Sequence, residues 1–164
     1  MNTEELKKKR NRLLRISKIN GGSIAVIAGI GTVLSLFSLS LNGILVGLGI
    51  TAAGLLELRG HKTLGEDLAE ARKWLLTSQI LFFTVIVLYS AYQLSVFDAM
   101  NPLNTFSEDF RQTVLALAGS QQSVLNDLIA KAYRTTYIAI MVLSFFYQGG
   151  MWLYYNRVTK KMMT

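Results

Sequence analysis

The chain has 164 residues, 51% of them hydrophobic, with 17 Lys and Arg against 10 Asp and Glu, one histidine and no cysteine. The missing thiols exclude disulfides, thiolate metal sites, palmitoylation and prenylation. A net charge of +7 would suit nucleic acid if it covered a soluble face, but here the basic residues flank apolar blocks, which favours anionic lipid headgroups and argues against nucleic acid.

The first segment, 1–20, opens with a cap-like Asn2-Thr3-Glu4-Glu5 and carries Lys7, Lys8, Lys9, Arg10, Arg12, Arg15 and Lys18 beside Leu6, Leu13, Leu14, Ile16 and Ile19. This pattern predicts a basic amphipathic helix on the cytoplasmic membrane surface, with the seven cations as candidate headgroup contacts. Gly21 and Gly22 are then expected to break the backbone before the first spanning helix.

Four apolar runs follow, at about 22–41, 42–58, 74–96 and 133–155. A bilayer core about 30 Å thick takes roughly 17 to 25 apolar residues in a helix, so each run is a candidate span. The first two form a tight hairpin, because only a few polar residues around Ser38, Ser40, Asn42 and Gly43 separate them. Small residues recur through these arms, with Gly29, Gly43, Gly47 and Gly54 as candidate helix-packing points; Gly43 and Gly47 make a G-x-x-x-G match. Such spacing lets backbones approach closely in lipid, either within one subunit or between copies.

Between the second and third runs, Gly60 reads as a helix stop and Thr63-Leu-Gly-Glu66 as a capping box, which predicts a helix from about Leu64 to Val96. The long segment 97–132 holds the sole proline, Pro102, and a second capping box, Thr105-Phe-Ser-Glu108. Phe106, Phe110, Val114 and Leu117 mark one face of a short external helix, which Gly119-Ser120 should interrupt. Val124, Leu125, Leu128, Ile129 and Ala132 then lead without a breaker into the fourth span, where Gly149 and Gly150 are further packing candidates.

Fourteen of the 17 basic residues fall on one side of this four-span arrangement and three, Arg111, Lys131 and Arg134, on the other. The positive-inside rule therefore places both termini in the cytoplasm. Trp74, Tyr89, Tyr92, Tyr133, Tyr137, Trp152, Tyr154 and Tyr155 fall at run ends, where amphipathic rings settle at headgroup level. The expected fold is an all-α integral membrane protein of four transmembrane helices, 21–164 forming one domain, in a prokaryotic cytoplasmic membrane.

Chemistry is sparse. His61 has no companion histidine or cysteine, and the chain lacks a phosphate loop, a nucleophile elbow and an H-E-x-x-H motif, so no catalytic residue, metal ligand or cofactor site is assigned. Glu57 is the one acid near the end of a span, and an interfacial contact with Arg59 or His61 is its expected role. Gln79 and Gln148 fall in the cytoplasmic halves of the third and fourth runs, where they can hydrogen-bond across the bundle or line a path. The expectation is a non-enzymatic membrane protein that works by assembly, as a homo-oligomer or as a subunit of a larger complex. The alternative is a small oligomeric channel or transporter with a Ser/Thr/Gln/Gly lining.

Overall fold

The computed structural model describes residues 3–98, 102–105, 107–118 and 121–163, and among these every regular element is helical. The order is α1 (Thr3–Phe37), α2 (Leu41–Thr63), α3 (Leu68–Val96), a 3₁₀ turn (Pro102–Thr105), α4 (Glu108–Ala118) and α5 (Gln122–Met163). The expectations placed on Asn2, Phe106 and Gly119-Ser120 lie outside the described residues, as does the side chain of Leu117.

The break expected at Gly21-Gly22 does not form, and the basic segment and the first apolar run are one helix. A Cβ on Gly21 would lie 3.0 Å from both Glu57 Cβ and the Gly54 carbonyl oxygen. Gly21 therefore serves as the point where α2 crosses α1, and this packing holds the glycine in helical conformation.

α1 ends in a Schellman motif: Ser40 N–H donates to Ser35 O at 3.0 Å and Leu39 N–H to Leu36 O at 3.1 Å. Leu39 takes the left-handed conformation, with φ of 51°, at the position usually held by glycine. Ser40 then caps α2, its side chain accepting from Gly43 N–H at 3.3 Å.

Gly60 does not stop α2 either. A Cβ there would fall 2.8 Å from Leu75 Cγ, so Gly60 is the close approach of α2 to α3. Thr63 ends the helix rather than starting the next, its hydroxyl donating back to the Arg59 and Gly60 carbonyls at 3.2 Å each. The residue that starts α3 is Asp67, whose carboxylate accepts from Ala69 N–H at 2.8 Å and Glu70 N–H at 3.0 Å. Nor does α4 begin at the Thr105 capping box: Thr105 belongs to the 3₁₀ turn, and Ser107 O accepts the first helical bond, from Arg111 N–H at 2.9 Å.

Two compact units result. One comprises Met1–Ile86 and Ser144–Thr164, the other Val87–Leu143. In the first, Leu13, Leu64, Ala71, Leu75 and Tyr155 form a buried cluster, against which Leu14, Ile16, Leu68 and Val158 pack. The apolar stripe of the basic segment thus meets protein at Leu13, while Lys7, Lys8, Arg10, Arg12, Arg15 and Lys18 stay exposed. In the second unit, Gln93 joins Tyr89 and Tyr133 through bonds of 2.8 and 2.9 Å. Phe97 stacks on Tyr133 at 4.1 Å, and Tyr137 packs on both tyrosines. Three of the tyrosines expected as headgroup anchors are therefore each other's neighbours.

Four helices are long and apolar enough to cross a membrane, and only 6–22% of their most apolar windows is buried. Ile27, Leu34, Leu45, Leu55, Leu143 and Phe146 are among the large side chains left exposed. Such surfaces suit lipid as solvent, because in water a contiguous apolar face of this extent drives association.

Candidate functional site

The site is built where α1 and α2 touch backbone to backbone. A Cβ on Gly54 would lie 2.7 Å from Ala25 N and 2.9 Å from Gly21 O, so Gly21, Ala25 and Gly54 must all be small for the helices to meet. Further along the same seam, a Cβ on Gly43 would lie 2.9 Å from Ser35 Cβ, and one on Gly47 3.1 Å from Thr32 Cα. The G-x-x-x-G pair is used inside the subunit. Gly29, Gly149 and Gly150, by contrast, have nothing within 4 Å of where a Cβ would stand.

This close crossing brings Asn20 of α1 against Glu57 of α2. Glu57 is 1% exposed. Asn20 Nδ2 donates to both of its carboxylate oxygens at 2.9 Å, Gln79 Nε2 of α3 donates to Oε2 at 3.1 Å, and the Tyr155 hydroxyl of α5 donates to Oε1. Tyr147, two turns earlier on α5, donates to Asn20 Oδ1 at 2.7 Å and so orients the amide that holds the acid.

The expected partners of Glu57 are engaged elsewhere. The Arg59 guanidinium sits 4.1 Å from the centre of the Trp74 ring and 3.9 Å from Glu70, and His61 Nδ1 lies 3.2 Å from the Ser17 hydroxyl. No Lys or Arg among the described residues pairs with Glu57. A carboxylate offers about four lone-pair sites, and Asn20, Gln79 and Tyr155 fill them with neutral donors. Burying a carboxyl group is expensive unless its hydrogen bonds are made, and this cage makes them with neutral donors alone.

Gln79 and Gln148 are 2% and 3% exposed, and the Oε1 of each has no hydrogen-bond partner. Both line a cavity of 230 Å³ whose walls include Phe83, Phe145 and Trp152. Arg72 donates to Asn156 Oδ1 at 2.6 and 3.0 Å, a second polar tie between α3 and α5.

Among the candidate headgroup contacts, Lys7 and Arg10 line a groove of 410 Å³ with Leu64, Gly65 and Glu66. Lys9 pairs with Glu5 at 2.6 Å, and this bond holds the Glu5 carboxyl below its ordinary value. Among the described residues, no three His, Cys, Asp or Glu side chains converge as a metal site would need. No family model, curated protein or solved structure matches the chain.

Asn20, Tyr147 and Tyr155 are the members of the cage that sequence reasoning missed. With α1 continuous, Leu13, Ser17, Asn20 and Gly21 fall on one face at three- and four-residue spacing. That spacing was the available signal, and an assumed break at Gly21 hides it.

Proposed function

We propose that this chain is a non-enzymatic integral membrane protein that works by assembly, with copies of itself or within a larger membrane complex. The observation that carries this reading is the free side of α1. Gly22, Val26, Gly29 and Val33 recur at the four- and three-residue spacing of a helix seam. Both glycines have open space where a Cβ would stand, and Val26 and Val33 are 61% and 50% exposed. In lipid, where burial of apolar surface gives no net drive, a shallow Gly/Val groove of this kind favours a second helix through close van der Waals contact.

The Glu57 cage supports the same reading over transport. Its acceptor sites are taken by three helices of the same subunit, which makes it a clamp on α1, α2, α3 and α5. A transported ion would first have to displace those donors.

Mass measured in native nanodiscs tests the proposal. Wild type should run as a defined oligomer or with a co-purifying protein, and Gly29→Leu, which enters open space and leaves the subunit folded, should release the monomer. A monomeric wild type, or ion flux in liposomes that Glu57→Gln abolishes, would overturn it.

A further inference from the structure

The seven cations of the first segment look alike in sequence, yet the groove beside the α2–α3 turn takes just two of them, Lys7 and Arg10, which lie one helical turn apart on α1. Glu66 of the turn is the third charged residue of its wall. The Arg10 guanidinium reaches toward the turn, its Nη2 standing 3.7 Å from where a Cβ on Gly65 would lie. Lys8 and Arg15 are exposed on the same helix and are not part of this wall.

The three charges are uncommitted. Among the described residues no ion pair involves Lys7, Arg10 or Glu66, whereas Lys9 is taken by Glu5 at 2.6 Å. Two cations against one carboxylate leave the groove with one positive charge in excess, which suits an occupant carrying one net negative charge.

The floor is apolar and held in place. Leu64 is 1% exposed and belongs to the buried cluster, and Leu68 and Met162 pack against that cluster. At 410 Å³ the groove falls within the range of about 300–1,000 Å³ usual for small-molecule sites. Its depth follows from α2, whose 23 residues rise about 34 Å. A bilayer is about 30 Å thick across its hydrocarbon and about 40–45 Å with its headgroups, so the turn at the end of α2 falls in the headgroup layer. A free phosphate has no use for a leucine floor, and a hydrocarbon has none for two cations. A phospholipid presents both surfaces at this depth.

We propose that the groove binds an anionic phospholipid with one net negative charge, as a site within a single subunit and separate from assembly. Lys7 and Arg10 hold the lipid phosphate, Glu66 accepts from hydroxyls of the headgroup, and the chain carbons nearest the headgroup cover Leu64, Leu68 and Met162.

Native mass spectrometry of the full chain in a neutral detergent tests this. Dioctanoyl phosphatidylglycerol should add as one saturable adduct. The matching phosphatidylcholine and phosphatidylethanolamine, which lack the net charge, should bind about fivefold more weakly. Glycerol 3-phosphate, which has the phosphate without the chains, should give no adduct at the same concentrations. Lys7→Gln combined with Arg10→Gln should weaken the phosphatidylglycerol adduct about thirtyfold. Lys8→Gln combined with Arg15→Gln, which removes the same charge from the same helix outside the groove, should leave it nearly unchanged. No saturable adduct, equal losses in the two double variants, phosphatidylethanolamine or phosphatidylcholine binding as well as phosphatidylglycerol, or saturation by glycerol 3-phosphate would each overturn the proposal.

Discussion

Tyr155 and Tyr147 both feed the Glu57 cage, one directly and one through Asn20. A bond between membrane helices averages about 0.6 kcal/mol, whereas leaving a buried acceptor without its donor costs about 1–3 kcal/mol. Tyr155→Phe keeps the ring, which is fully buried, and deletes only the direct donor. It should therefore lower stability in a detergent unfolding titration by about 1–3 kcal/mol. Tyr147→Phe should cost about 0.6 kcal/mol. Equal losses, or the reverse order, would mean that the carboxylate is not the centre of the cage. The expected contact of Glu57 with Arg59 or His61 does not form, and the reason lies in helix geometry. Its neighbours in sequence are Arg59 and His61, but helix geometry turns those toward Trp74 and Ser17, and the donors arrive from 22 to 98 residues away.

The α1–α2 turn is the element under most backbone strain among those described. Leu39 holds φ at 51° and is 87% exposed, so its side chain gains little packing there. A left-handed non-glycine residue costs about 1–2 kcal/mol, and glycine returns about 0.4–1 kcal/mol of that through unfolded-chain entropy. Leu39→Gly should therefore stabilise the hairpin by up to about 1.6 kcal/mol, seen as a later midpoint in the same titration; a destabilised variant would mean that the Leu39 side chain has a partner of its own. The existence of the helices was legible because apolar blocks of spanning length permit little else in lipid. Their ends were less so. Gly21 and Gly60 read as breakers on local propensity, yet at each of them another helix approaches closely, and propensity carries no knowledge of a partner across the bundle. Thr63 and Asp67 compete as caps four residues apart, and the contact of Gly60 with Leu75 extends α2 far enough for Asp67 to win.

For the molecule as a whole, the basic bias predicts one sidedness. Because the chain lacks cysteine, single substitutions report cleanly: Ser107→Cys and Lys161→Cys should label with an impermeant maleimide from opposite sides of the membrane. Labelling from one side would refute the four-span topology. Of the site, Glu57, Gln79 and Gln148 were legible because polar residues in apolar helices are conspicuous. Tyr155 was not, since a tyrosine at the end of a span reads equally well as a headgroup anchor. The cage also has a consequence in time. Asn20 precedes Glu57 by 37 residues, Gln79 follows it by 22 and Tyr155 by 98. At about 5–20 residues per second of synthesis, Tyr155 leaves the ribosome about 5–20 s after Glu57. The nascent hairpin can meet one donor at once and a second soon after, while the last comes only with the final helix. Biogenesis of this protein thus includes an interval in which its most buried acid is incompletely solvated, and completion of α5 closes that interval.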